Sequence, residues 1–269
     1  MGTRTASRTI DLPTLIAIAA VCNVVNTLIH EGIGHGATAA LFGAQIIHVS
    51  SVDLSYDEHA LSAIPNRIVA IAGPLANLMA GAIAIALSRR WTPANTATRY
   101  FLWLFGITNL LSFGGYAMAL SFAPYGDIHQ FVTQLAAPLV WKTGLTIVGL
   151  AASFMALFVG IRTLGPWIAD PTDRRRRVLA LTLVPYLTMG MLATSAGALN
   201  PDGPILILLS AGSASFGGNA FIAWMPAWIR RVKIPVAEPL GVARSVPWLL
   251  TAAVAVLFLY IGLAPGLPR

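Results

Sequence analysis

The chain has 269 residues, 57% of them hydrophobic and only 10% charged, with a net charge of +7. A soluble domain carries roughly 25% charged residues, so this composition excludes an ordinary water-soluble fold and points to the bilayer. The basic residues stand in short loops between apolar stretches, which excludes a nucleic-acid surface, and the single cysteine, Cys22, excludes an internal disulfide or a CxxC-type metal site.

Arg4 and Arg8 followed by an apolar run imitate a secretory signal. The run is far longer than the about 7–15 residues of a cleavable apolar core, so it reads as a retained first span, 12–42, long enough to tilt or to project beyond the lipid. Further stretches of spanning length follow at 68–88, 100–122, 143–161, 178–199, 205–229 and 246–264. Seven spans define an all-α polytopic membrane protein. The sixth contains the weakly apolar Ser213-Ala214-Ser215-Phe216-Gly217-Gly218-Asn219, which suits a closely packed, broken or re-entrant helix. Between the first two spans, residues 45–56 alternate in polarity and predict a short β-hairpin at the membrane edge. No internal repeat and no polar linker appears; chemistry divides the chain into a core at 1–135 and a further helical bundle of unknown role at 136–269.

Loop charges set the orientation. Arg4 and Arg8, then Arg89, Arg90 and Arg99, then Arg162 and Arg174 to Arg177, then Arg230, Arg231, Lys233 and Arg244 alternate with loops holding Asp53, Asp57, Glu58, Asp127 and Asp202. The positive-inside rule places the N-terminus in the cytoplasm and the C-terminus outside. The Arg174–Arg177 run reads as a topology anchor.

His30-Glu31-Gly32-Ile33-Gly34-His35 interrupts the first span. Two imidazoles and a carboxylate are costly in hydrocarbon without a partner. A divalent metal is the economical partner: zinc accepts imidazole, keeps a position for water and makes that water a nucleophile near neutral pH, while an adjacent Glu moves the proton. The usual helical arrangement spaces the histidines four apart. Here they are five apart, about 140° around an ideal helix, so one wider turn with i→i+5 bonding is required to bring them together. Gly32 and Gly34 are expected to permit it through their backbone freedom. A third ligand must come from His48, His59, His129 or an acid. Asp127 follows the third span, which emerges on the same side as the histidines; His129, two residues on, is an alternative ligand or an orienting group.

With these residues in place the chain resembles the site-2 protease class of intramembrane zinc metalloproteases. The resemblance rests on His30-Glu31 with His35 in an early span, the strand-like segment at 43–60, Ala72-Gly73-Pro74-Leu75-Ala76-Asn77 at the head of the next span, and Asn109-Leu110-Leu111 with Gly114-Gly115-Tyr116 in a span ending at Gly126-Asp127. It covers about residues 20–130. It implies Zn²⁺ held by His30, His35 and Asp127, Glu31 as catalytic acid–base, Asn77 and Asn109 as polar groups near the site, and a transmembrane protein as substrate. The chain departs from the family pattern in the shifted second histidine, in Gly126-Asp127 where Asp-Gly is usual, and in an orientation that sets the metal toward the outer face. Two other readings use the same residues: a protease-like protein that binds metal or substrate without cutting, and a metal or proton transporter.

Overall fold

A computed structural model of the chain describes residues 9–90, 95–133, 135–201 and 211–268. Six helices among the described residues are long and apolar enough to cross a membrane, where seven were expected. The protein is therefore a multi-pass helical membrane protein with one small sheet.

The first span runs Leu12–Leu41. Helix α1 (Leu12–Thr27) starts cleanly because the Asp11 carboxylate accepts from the Thr14 N–H at 2.9 Å and the Thr14 hydroxyl at 2.7 Å, and proline occupies its first turn. Residues Leu28–Gly36 continue it as π-helix, and α2 (Ala37–Leu41) returns to α-geometry. The wider turn expected for the histidine spacing is present. Its cause differs from the expectation, because neither Gly32 nor Gly34 has a positive φ. A Cβ on Gly34 would lie 2.5 Å from the Gly73 Cα, whereas one on Gly32 would meet nothing within 4 Å. Gly34 is thus required by the close approach of the next span.

Strands β1 (Ile46–Val49) and β2 (Leu54–Tyr56) form the expected antiparallel hairpin, with an irregularity between Ile46 and His48. The third strand, β3 (Leu267–Pro268), pairs with β1 on its other side, giving the order β2-β1-β3. Helix α3 spans Ala63–Arg90 with Pro74 in its interior. The expectation that Gly73-Pro74 heads this span is incorrect: the helix begins about three turns earlier. A buried membrane helix tolerates the proline because neighbouring groups can serve the carbonyl it leaves without a donor.

Helix α4 (Thr96–Ala119) is the central element, with Tyr100, Trp103, Leu104, Ile107 and Leu111 all buried. It meets α3 where Gly81 faces Leu110 and Gly106 faces Ile85, and it meets α6 (Pro138–Leu164) where Gly114 faces Ser153. Between them the short α5 (Asp127–Thr133) follows Gly126, whose φ of +84° is a left-handed turn. Helices α7 (Arg174–Gly197), α8 (Ala220–Trp228) and α9 (Val246–Leu257, continued by a π-helical Phe258–Leu263) complete the described chain. The outward faces of α6 and α9 expose Leu139, Val140, Ile147, Leu250, Val254 and Ile261, as lipid contact demands.

The expected span that is not found among the described residues is the sixth, at 205–229. Residues 202–210 lie outside the described residues, and the remainder is π-helix at Ser213–Gly217 and then the nine-residue α8. At one end of the bundle Ile10 bridges to Val242, and Arg177 donates to the carbonyls of Trp167 and Leu240. At the other end Ala196 packs with Val49 and Leu263. One hydrophobic core joins both halves of the chain, including Leu15, Trp103, Leu157 and Met225. The division at 135/136 is therefore one of chemistry, while packing is continuous.

Candidate metal centre

The π-helical turn places His30 and His35 on one side of the first span, and the left-handed turn at Gly126 brings Asp127 to them. His30 Nε2 lies 3.2 Å from His35 Nε2 and 3.0 Å from Asp127 Oδ2, and His35 Nε2 lies 3.4 Å from Asp127 Oδ1. Zinc–nitrogen bonds of about 2.0–2.1 Å at tetrahedral angles separate neighbouring donor atoms by about 3.3–3.4 Å. The ring nitrogens, and for each ring a different Asp127 oxygen, stand near that spacing. His30, His35 and Asp127 are the only group of three or more such side chains among the described residues whose donor atoms gather this closely.

The protonation of each ring follows from its other nitrogen. His35 Nδ1 lies 2.7 Å from the Val69 carbonyl, which only accepts, so Nδ1 carries the proton and Nε2 presents a lone pair. His30 is oriented through two amides. The Phe105 carbonyl accepts from Asn109 Nδ2 at 2.8 Å, so Asn109 turns its oxygen to Asn77. Asn77 Nδ2 donates to Asn109 Oδ1 and to Asn26 Oδ1, each at 2.8 Å. Asn77 Oδ1 is then the acceptor for His30 Nδ1 at 2.5 Å, and His30 Nε2 also presents a lone pair. With both rings neutral, two imidazole lone pairs and a carboxylate face one another, an arrangement that a cation among them, or a proton on a ring, would relieve. Ring N–H groups tied to a carbonyl and a side-chain amide are the supports that metal-bound histidines use. The donor set therefore fits a zinc-type ion. Burial opposes charge on Asp127, but His35 and His30 beside it hold its carboxyl well below the ordinary carboxylate range.

Gly73 gives the imidazoles their room. A Cβ there would run into His35 Nε2 and approach His30 Nε2 to 2.9 Å. Glu31 is buried and lines two cavities, one with about 670 Å³ and one with about 1270 Å³ of empty volume. Val52 and Tyr116 also border both. The larger cavity reaches His35, Asp127 and strand β2. The smaller reaches Asn23 and Asn77 on one side and Ser215 and Asn219 of the second half on the other.

His30, Glu31, His35, Asp127, Asn77 and Asn109 thus share one region. Asn77 and Asn109 stand behind His30, and both Asn109 amide atoms are committed to protein partners. His129 is not brought to the cluster; it lines a separate recess with Glu58, Asn66 and Arg67. His48 pairs with Asp53 at 3.4 Å, and His59 is exposed. Sequence reasoning missed Asn26, which holds Asn77, and the role of Tyr116, whose ring lies 5.0 Å from that of His30. The signal for Asn26 was its position one helical turn before His30.

Comparison of the chain with protein-family models, with curated proteins and with solved structures returns no match in any of the three.

Proposed function

We propose that the chain is an intramembrane zinc metalloprotease of site-2 protease type. One observation carries the reading: two imidazoles and a carboxylate with contacts of 3.0–3.4 Å among them, their rings oriented by fixed partners, with a buried glutamate adjoining the histidines in sequence. His30, His35 and Asp127 hold the ion. Zinc bound there supplies Lewis acidity and lets water lose a proton near neutral pH. Glu31, which lines both cavities, would accept a proton at its carboxylate and donate it to the leaving amine. Tyr116 and Val52 border both cavities beside it. The peptide bond must belong to a locally unwound segment, because a helix shields its own carbonyls. Strand β2 is an outer strand of the sheet and borders the larger cavity, so it supports main-chain pairing with an extended substrate. Strand β1 is paired on both sides and offers no such edge. The arginine-bearing end faces the cytoplasm and the hairpin end faces outward, by loop charge.

The test is elemental analysis of the purified full chain together with cleavage of a panel of single-span membrane proteins. One zinc per chain, with cleavage abolished by Glu31→Gln, supports the protease. One zinc with no cleavage across the panel supports the non-cutting reading instead. Protein purified without chelators that holds no metal, and takes up none, overturns both.

A further inference from the structure

At the bundle end opposite the hairpin, arginines from three different spans line one recess with about 760 Å³ of empty volume: Arg89 from the end of α3, Arg99 from the start of α4 and Arg162 near the end of α6. Ser88, Val159, Thr163 and Pro166 complete the lining. No acidic residue borders the recess among the described residues. The adjoining connection, Trp91-Thr92-Pro93-Ala94, contains none in its sequence. Three other arginines at this end have protein partners. Arg174 donates to the carbonyls of Ile168 and Ala169, Arg177 to those of Trp167 and Leu240, and Arg244 pairs with Asp11 at 2.9 Å.

Arg99 is held in place. Its Nε donates to the Ser88 carbonyl at 3.3 Å, and its guanidinium carbon lies 5.3 Å from the centre of the buried Trp167 ring. That leaves the outer fork of the guanidinium for another acceptor. The Thr163 hydroxyl donates to the Val159 carbonyl at 2.7 Å, so it adds no donor to the recess. Three cations without a counter-charge repel one another. They converge at the ends of three apolar helices of membrane-spanning length, where headgroups would meet a spanning helix. A compact anion with several acceptor oxygens relieves the repulsion and matches guanidinium geometry.

We infer that this recess binds a phosphate group, carried by an anionic lipid headgroup or by a free phosphate. The site is independent of the metal centre and of the protease reading.

Native mass spectrometry of the full chain in neutral detergent tests it, with phosphatidylglycerol, phosphatidylcholine and inorganic phosphate as separate probes. Phosphatidylglycerol should be retained about tenfold or more tightly than phosphatidylcholine, and the double variant Arg89→Gln/Arg162→Gln should lose that preference. Both residues are exposed, so the variant should keep its unfolding temperature. The charge-matched Arg175→Gln/Arg176→Gln variant, exposed at the same end, should keep the preference. Competition by inorganic phosphate assigns the recess to a phosphate group from either source; binding of lipid without such competition assigns it to the headgroup. Equal retention of the two lipids with no phosphate binding overturns the inference. So does an equal loss in both double variants, which would report only general surface charge.

Discussion

The spans before residue 134 and those after it share a core, yet they differ in where their side-chain amides and imidazoles lead. In both, hydroxyls turn back on their own helix, as Thr27 does to Asn23 and Thr108 to Leu104 in the earlier spans; the same holds in the later spans. Thr182 donates to Val178, Thr188 to Val184, Ser195 to Met191 and Thr251 to Pro247, each to a carbonyl four residues back. In the earlier spans, polar side chains reach across helices. Asn26, Asn77 and Asn109 join three spans behind His30, and His35 reaches Val69 in the next helix. A polar group bonded within its own helix needs no neighbour and fixes nothing else. One bonded across helices sets the orientation of another side chain. All five histidines lie on that side of the comparison, at or before residue 129.

Substitutions can break or sharpen this contrast. The largest effect is expected from Glu31→Gln, which should reduce cleavage by about 10²–10⁴-fold while zinc content is unchanged, measured by peptide-release rates and elemental analysis. Next, His35→Ala or Asp127→Ala should weaken zinc retention by more than the about 10–100-fold expected of a supporting residue, read by competition with a chelator. Asn77→Ala should fall within that about 10–100-fold range, because it removes the acceptor that orients His30. An unchanged chelator competition in Asn77→Ala would remove the proposed relay. A smaller effect is expected on stability. Gly34→Ala should destabilise by about 1–3 kcal/mol through overpacking against Gly73, and Gly32→Ala should be nearly neutral, both by thermal unfolding in detergent. The smallest change is expected in the second region: Thr188→Ala should alter stability by no more than about 0.5 kcal/mol and leave zinc content intact.

The hexapeptide was legible because charge and imidazole are conspicuous in an apolar span, and because a five-residue spacing has one geometric remedy. The hairpin was legible from alternating polarity at 45–56. The position of Asp127 followed from span parity. Other features depended on contacts that no local pattern reports. Gly34 reads as a flexible joint until Gly73 is seen against it. Pro74 reads as a helix start, since in water an interior proline breaks a helix, but α3 continues through it. Tyr116 lies among small residues that suggest only packing, and its ring meets His30 through tertiary folding alone. The stretch expected at 205–229 was apolar enough to read as one span, yet its described part changes geometry at Ser213–Gly217 and again at Asn219.

Leu267 couples two distant parts of the molecule mechanically. It pairs with Val49, and nearby the Ser51 N–H donates to the Leu263 carbonyl at 2.9 Å, so the hairpin and the final helix are fastened at two points. Tilting that helix drags the strands along with it. Any widening of the space beneath the hairpin would therefore have to carry the final helix with it or break these two attachments.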